Sequence, residues 1–239
     1  MSLKDEILKK FEQHRGEYVS GEELSDTLGV SRQAVWKAVK KLTDEGYVIH
    51  SATNRGYMLD GKCDLLSSSV ISARTGAKVY CFDTVTSTNT VARLKYCAEG
   101  ECVVAAESQT MGRRKDGREF ISPDKRGVYM SVAVKLDYDM KKADTLRRLC
   151  AEKVASCIGN SCGNMPEIIN VDELFLNGKK VCGILIEANV NLATEKIADA
   201  VIGIGIYTAE VGETLGFITS CETRNSLICD IYESIKKAL

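Results

Sequence analysis

The feature of this sequence that most constrains its fold is a pair of short amphipathic segments separated by Gly29. Each segment follows a serine, Ser20 in the first case and Ser31 in the second, and serine is a favoured N-cap of helices. Glu23 follows Ser20 at the spacing of a capping box, and Gly29 stands where a helix commonly ends. The pattern predicts a helix, a tight turn and a second helix, which together form a helix-turn-helix.

The neighbouring segments extend this module on both sides. Residues 3–13 carry apolar side chains at helical spacing, and the short alternating runs 47–50 and 56–59 predict a β-hairpin. We therefore expect a winged helix-turn-helix domain over residues 1–60, followed by a linker over 61–78.

The second helix of the predicted motif is basic on its outward side and has no acidic residue before Asp44. Lysine and arginine can contact DNA phosphates, and side chains near the start of such a helix can reach base edges. The candidate DNA contacts are Ser20, Ser31, Arg32, Gln33, Trp36, Lys37, Lys40 and Arg55. Because the net charge is −1, the protein as a whole does not attract nucleic acid, and binding would depend on a local patch of positive charge. The alternative is a helical docking module whose basic face is merely solvated.

Strand and helix patterns alternate in the rest of the chain. Hairpins mixed with helices predict an α+β fold, with a mixed, largely antiparallel sheet over 79–239. The dipeptide Asn177-Gly178 is a strong hairpin signal. The predicted strands cover 78–85, 101–108, 127–136, 173–190 (a hairpin) and 196–207, and the predicted helices cover 87–100, 144–158 and 226–239.

Composition excludes several classes of protein. The apolar runs are far shorter than a bilayer span, and the charged N-terminus has no apolar signal region. The ten cysteines include no C-x-x-C pair, and the chain has two histidines. We therefore expect a cytoplasmic protein with reduced, packed thiols and no metal site.

Three polar groups in the second region are candidates for chemistry. Residues 87–89 (Ser-Thr-Asn) lie at a strand-to-helix corner, where they would either cap the helix or bind a ligand. The loop 109–123 contains Gly112 and Gly117, which permit unusual backbone angles, and cations that would hold phosphate or carboxylate unless they are only solvated. The third group is Lys179 and Lys180, which lead into a buried strand.

Taken in their order along the chain, these segments resemble the biotin protein ligases that also act as biotin operon repressors. The resemblance covers nearly the whole chain. SRQAVWKAVKKL and the hairpin ending in RGYML are similar to that family's DNA-binding domain. STN at 87–89, AESQTMGRRKDGREFISP at 106–123, NGKKVCGILIEA at 177–188 and IGIGIY at 202–207 are similar to segments of its ligase domain.

The resemblance implies a two-step reaction. Biotin carboxylate attacks the α-phosphate of MgATP to give biotinyl-AMP and pyrophosphate, and a lysine of a biotin carboxyl carrier domain then takes the biotin. The implied catalytic residues are Lys180, Arg113 and Lys115. The implied biotin or adenylate contacts are Ser87, Thr88, Asn89, Gln109, Gly112, Arg113, Arg114, Lys115, Gly117, Arg118, Phe120, Lys180 and Gly183. The implied partners are operator DNA and a second copy of the chain, with ATP and Mg needed only for ligation.

The sequence departs from the family mostly on the adenylate and acceptor side. In the family loop G-R-G-R-R-G-R, a glycine is replaced here by Arg114 and two arginines by Lys115 and Asp116. Other departures are Phe120 for tryptophan, Tyr207 for the asparagine of G-I-G-I-N, and Ile169 to Glu173 for K-W-P/V-N-D. The sequence also ends at Leu239, where family members usually continue into a small C-terminal domain that helps to handle ATP and the acceptor.

Two hypotheses follow from these departures, and a third is weaker. The first is a DNA-binding regulator that binds biotin, with ligation weakened or lost. The second is an active bifunctional ligase and repressor. The third is a scaffold that uses neither ligand nor DNA.

Overall fold

The computed structural model describes residues 2–219 and 223–239. The chain divides into two compact units, Met1–Arg74 and Thr75–Leu239. Within the described ranges, every helix is too short or too polar to cross a lipid bilayer. The predicted linker 61–78 contains a helix of its own, and Cys63 is buried in the core of the first unit.

The first unit is a helical domain with a small hairpin. Its elements are α1 (Leu3–Gln13), α2 (Gly21–Leu28), α3 (Arg32–Asp44), β1 (Ile49–Ala52), β2 (Gly56–Leu59) and α4 (Ser68–Thr75), which ends one residue past the unit boundary. The core is formed by side chains from all three leading helices, including Ile7, Phe11, Leu24 and Leu42. The predicted helix-turn-helix with its β-hairpin is confirmed.

The helix ends explain why this segment folds as it does. Ser20 Oγ accepts hydrogen bonds from the backbone N–H groups at the start of α2, and Ser31 Oγ accepts one from Ala34 N. Gly29 ends α2 in a left-handed conformation with φ of 63°. The capping box expected at Ser20 is incomplete, since only the bonds accepted by the serine hydroxyl are formed. A complete capping box is found at Ser2, at the start of α1.

The second unit is built on a seven-stranded sheet. Its strands are β3 (Val79–Val85), β4 (Cys102–Gln109), β5 (Gly127–Asp139), β6 (Glu167–Asn170), β7 (Glu173–Leu176), β8 (Lys179–Asn191) and β9 (Lys196–Tyr207), in the order β3-β4-β5-β9-β8-β7-β6. Strand β3 pairs with β4 in parallel, and the other neighbours are antiparallel. The helices are α5 (Thr88–Glu99), α6 (Ala143–Cys162) and α7 (Arg224–Ala238). The expected mixed, largely antiparallel α+β fold is confirmed.

Two details of the sheet position the site. Asn177 and Gly178 have φ of 51° and 73°, as a type I′ turn requires, so that β7 and β8 form the predicted hairpin. The sequence analysis did not predict β6, whose four residues are all exposed. This strand adds an edge to the sheet and brings the turn between β6 and β7 beside Lys180.

Candidate functional site

The second unit contains a cavity of about 510 Å³. Its wall comes from the start of α5, the loop between β4 and β5, the turn between β6 and β7, and the middle of β8 and β9. The lining side chains and glycines are Ser87, Thr88, Asn89, Gln109, Arg113, Arg114, Lys115, Asp116, Arg118, Phe120, Asn170, Asp172, Glu173, Lys180, Gly183, Ile184, Leu185, Gly203, Ile204 and Gly205. The structure therefore brings together eleven of the thirteen predicted ligand residues, the exceptions being Gly112 and Gly117.

One end of the cavity is a hydrogen-bonded polar corner. Gln109 Oε1 accepts hydrogen bonds from Thr88 N at 2.8 Å and from Thr88 Oγ1 at 3.1 Å. Ser131 Oγ lies 2.8 Å from Thr88 Oγ1 and 2.7 Å from Asn89 Oδ1. Since these groups are largely buried, their bonds fix the side chains in one arrangement.

The orientation of Asn89 is set from strands β8 and β9. Its Nδ2 donates to Glu187 Oε2 at 2.7 Å and to Leu185 O at 3.3 Å. A Cβ atom at Gly203 would stand 2.2 Å from Asn89 Oδ1, so the close approach of Asn89 requires glycine there. The sequence analysis missed Ser131, Glu187 and Gly203 as site residues.

The hydroxyl of Ser87 is available to a ligand. Ser87 occupies the N-cap position of α5, so the capping alternative holds for its place in the chain, but its side chain makes no capping hydrogen bond. Ser87 is 6% exposed and lines the cavity. Within the described part of the chain its hydroxyl has no hydrogen-bond partner, and a hydroxyl can both donate and accept.

The loop between β4 and β5 folds back on itself. Arg114 N donates to Arg118 O at 2.8 Å, and Phe120 N donates to Gly112 O at 2.8 Å. Gly117 has φ of 79°, as the sequence analysis expected. Gly112 does not have a positive φ; a Cβ there would lie 2.6 Å from Phe120 O, so that glycine is required by close packing and not by backbone freedom.

The other end of the cavity is charged, and Glu173 lies at its centre. Glu173 Oε1 is 2.5 Å from Lys180 Nζ and 2.5 Å from Arg114 Nη2, while Asn170 Nδ2 donates to Oε2 at 3.2 Å. Burial opposes ionisation of this carboxyl, but the hydrogen bonds from Lys180 and Asn170 outweigh it and lower its pKa to about 2. Glu173 is therefore ionised at neutral pH.

Most other cations of the wall are also paired. Lys115 Nζ lies 3.4 Å from Asp172 Oδ2, and Arg118 Nη2 lies 2.5 Å from Asp116 Oδ2. Arg113 is exposed, and among residues 2–219 and 223–239 it has no ion-pair partner. Three of the four loop cations, Arg114, Lys115 and Arg118, are thus held against protein carboxylates, which is more order than a merely solvated basic loop would have.

Phe120 forms the aromatic part of the wall. Its ring stacks on Tyr207, with centroids 5.3 Å apart and planes 2° from parallel, and Tyr207 Oη donates to Ile121 O at 3.0 Å. A Cβ would lie 2.3 Å from this ring at Gly205 and 2.7 Å from it at Gly183. Phe120 therefore approaches closely at Gly183, which also lines the cavity.

In the first unit, α3 presents a basic surface. Trp36 is 51% exposed, and Lys40 Nζ lies 5.6 Å from its ring centroid. Arg32 pairs with Glu22 at 2.5 Å, and the Arg55 guanidinium lies 4.2 Å from the Tyr18 ring centroid. The exposed predicted DNA contacts are Ser31, Arg32, Gln33, Trp36, Lys37, Lys40 and Arg55. Ser20 is partly buried, and its hydroxyl serves as a helix cap.

Metal and thiol chemistry have little basis in the described residues. No three His, Cys, Asp or Glu side chains among them are grouped so that they would hold a metal ion. Nine cysteines are free, several of them buried, and Cys221 lies outside the described residues. Burial raises the pKa of the Cys150 thiol to about 12, so this thiol is protonated at neutral pH.

Comparisons with known proteins agree with this division. Residues 4–58 match a helix-turn-helix domain model, and residues 79–206 match the biotin/lipoate A/B protein ligase family. The bifunctional ligase/repressor BirA of Bacillus subtilis is 33% identical over 213 residues, covering 86% of this chain and 65% of that protein. The bifunctional ligase/repressor BirA of Escherichia coli is 29% identical over 237 residues, covering 94% of this chain and 73% of that protein. The chain thus spans about two thirds of its Bacillus relative's length.

Solved structures give the same fold. The biotin protein ligase of Leishmania major, in complex with biotinyl-5-AMP, superposes with a TM-score of 0.54 at 23% identity, covering 66% of this chain and 73% of that one.

Proposed function

The chain belongs to the biotin/lipoate A/B protein ligase family and carries a helix-turn-helix domain at its N-terminus, and we propose that it is a transcriptional regulator that binds operator DNA and senses biotin. In this proposal the ligase-like unit binds biotin as an effector, and its ligase activity is weakened or lost. The proposed setting is the cytoplasm, where operator DNA is found and thiols stay reduced.

The observation that carries the biotin half of the proposal is the free Ser87 hydroxyl beside a prebuilt polar corner. Thr88 and Asn89 are held by Ser131 and Glu187, and Gln109 is held by Thr88 and Ser122. The ureido group of biotin offers one carbonyl acceptor and two N–H donors, which suit a corner of hydroxyls and amides. The cavity volume lies within the usual range of small-molecule sites.

The DNA half rests on α3. Its outward face combines an exposed aromatic ring with cations at Lys37 and Lys40, and phosphate contacts by such residues supply most of the affinity for DNA. Arg55, in the turn between β1 and β2, would contact the backbone beside the helix. We further propose that the regulator acts as a homodimer, since two-fold symmetric proteins of this kind bind paired half-sites.

Weak ligation is expected from the nucleotide end of the cavity. One face of Phe120 is stacked on Tyr207, so this face is not open to a planar base. Lys180 and Arg114 already contact Glu173, whose single negative charge offsets part of the positive charge that would stabilise a phosphate. Losing one preorganised charge contact commonly costs about 100- to 1000-fold in rate.

The alternative function is an active bifunctional ligase and repressor that uses MgATP and a biotin carboxyl carrier domain. Lys180 and Arg113, both in the cavity wall, favour it. Incubating the protein at high concentration with a carrier domain, biotin and MgATP tests it, with the Lys180→Ala variant as control. Carrier labelling that depends on Lys180 would establish this alternative, and no labelling would remove it.

The proposed regulation is tested by footprinting. An operator would be selected from random-sequence DNA, and protection would then be measured without ligand, with biotin and with biotinyl-AMP. We expect biotin alone to change the protein concentration needed for protection. Protection that is independent of both ligands would contradict a biotin-sensing regulator, and failure to select any sequence would contradict DNA binding.

A further inference from the structure

The geometry points to Glu173 as an internal counter-ion that an incoming ligand carboxylate must replace on Lys180. Glu173 is therefore the residue that sets how much negative charge the cavity accepts. This inference rests on the proposed function in one respect, namely that biotin is the carboxylate ligand used to test it.

The contacts of Lys180 motivate the inference. Its side chain is 11% exposed, and a buried ammonium group needs a compensating charge. Glu173 supplies that charge through Oε1, the oxygen that also contacts Arg114. The other carboxylate oxygen accepts from Asn170, so both oxygens of Glu173 are engaged inside the cavity.

A ligand carboxylate cannot simply be added beside Glu173. Any anion within hydrogen-bond distance of Lys180 Nζ comes close to Glu173 Oε1, and two like charges in a partly buried site repel strongly. Protonation would remove that repulsion, but the pKa of Glu173 is about 2, so this route is closed at neutral pH. The side chain of Glu173 must therefore move away as the ligand carboxylate arrives.

The surroundings of Glu173 suit such an exchange. Arg114 Nε is buried and has no hydrogen-bond partner within the described part of the chain, so an anion that takes the place of Glu173 beside Arg114 would give this donor a partner. Asp172 remains fixed by Lys115 and Arg147, which leaves the turn between β6 and β7 anchored. The exchange then needs a rotation of one side chain and no rebuilding of the turn.

The Glu173→Gln variant tests the inference because glutamine keeps the size and one acceptor oxygen, replaces the other oxygen with an NH2 donor, and removes the charge. Glu167→Gln is the matched control, since Glu167 is an exposed carboxylate on β6, the strand that pairs with β7, and lies outside the cavity wall. Binding of biotin and of uncharged biotinamide would be measured by calorimetry. We expect Glu173→Gln to bind biotin at least about tenfold more tightly than wild type, and biotinamide within about twofold of wild type. Glu167→Gln should match wild type for both ligands.

Two results would overturn the inference: unchanged or weaker biotin binding by Glu173→Gln, or an equal gain for biotinamide. If either result is obtained and the wild-type protein still binds biotin, the counter-ion inference fails and the proposed function stands. If neither protein binds biotin, the proposed function fails, and inorganic pyrophosphate decides the role of Glu173. A thermal stabilisation by pyrophosphate that is larger in Glu173→Gln than in wild type supports the counter-ion, and equal stabilisation excludes it.

Discussion

The hydroxyl oxygen of Ser131 lies 2.7 Å from Oδ1 of Asn89, and this contact sets one face of the polar corner. Ser131 is fully buried in β5, and Asn89 turns its amide nitrogen toward Glu187. The protein's own hydrogen bonds therefore hold the corner in one arrangement. A preassembled site loses little conformational entropy on binding, so ligand affinity should depend directly on this contact.

The Ser131→Ala variant should weaken both folding and ligand binding. It leaves Asn89 Oδ1 without its buried partner, and an unsatisfied buried group costs about 1–3 kcal/mol. We expect the free energy of unfolding in urea to fall by about that amount and biotin affinity to fall about tenfold. Ser108→Ala is the control, since it removes a serine hydroxyl that bonds Thr84 away from the cavity. Equal losses of stability and biotin affinity in the two variants would contradict a role of Ser131 in holding the polar corner.

The Tyr207→Asn variant should change which ligand is preferred. It removes the ring that stacks on Phe120, and a freed aromatic face can stack with a planar base. We expect the affinity for biotinyl-AMP to rise about tenfold while the affinity for biotin stays within about twofold. Tyr207→Phe keeps the ring and loses only the bond to Ile121, so it should behave like wild type. A gain in Tyr207→Phe, or none in Tyr207→Asn, would refute this expectation.

Acid should destabilise the protein in part through Glu173. The pKa of this carboxyl is lowered in the folded state to about 2, below its ordinary value of 4.5. Its contribution is therefore complete above pH 4.5 and is lost as the pH falls toward 2. The unfolding free energy of wild type should drop by about 2 kcal/mol more than that of Glu173→Gln between pH 6 and pH 2.5. Glu99 also has a pKa lowered to about 2, so only the difference between the two proteins reports on Glu173. Parallel pH profiles would contradict this role.

DNA binding should be visible through the single tryptophan of the chain. Trp36 is that residue, and it lies exposed on α3, so operator binding should quench or shift its fluorescence. Replacing Lys40 with alanine should weaken binding and reduce the slope of log K against log salt by about one. The same measurement on Lys95→Ala, in the second unit, should leave the slope unchanged. An unchanged slope in Lys40→Ala would remove α3 as the phosphate-contacting helix.

Local signals were sufficient to predict most of the fold. Gly29 and the Asn177-Gly178 turn act over a few residues, so their conformations follow from the sequence alone. The polar corner did not follow in the same way, because Asn89 meets Ser131 and Glu187 across separations of 42 and 98 residues. The one signal that could have pointed to Ser131 is that it is a serine within an otherwise apolar strand.

The charged end of the cavity was harder to predict for a physical reason. The loop cations were visible in sequence, but Asp172 and Glu173, the partners of Lys115 and Arg114, lie in the turn between β6 and β7 and at the start of β7. That turn follows β6, an exposed edge strand without an apolar pattern. The pairing of Lys180 with Glu173 crosses the predicted hairpin of β7 and β8, but the register of that hairpin shifts between Leu174 and Phe175, so the turn alone did not fix it.

The central claim, that the cavity binds biotin while its ligase activity is weakened or lost, is tested most directly by identifying the bound ligand. Purified protein would be incubated with biotin and MgATP, passed through a desalting column and analysed by native mass spectrometry. We predict a complex whose mass exceeds that of the protein by the mass of one biotin, and no complex with biotinyl-AMP. A bound adenylate would contradict the claim and establish that the altered loop still supports the first half-reaction.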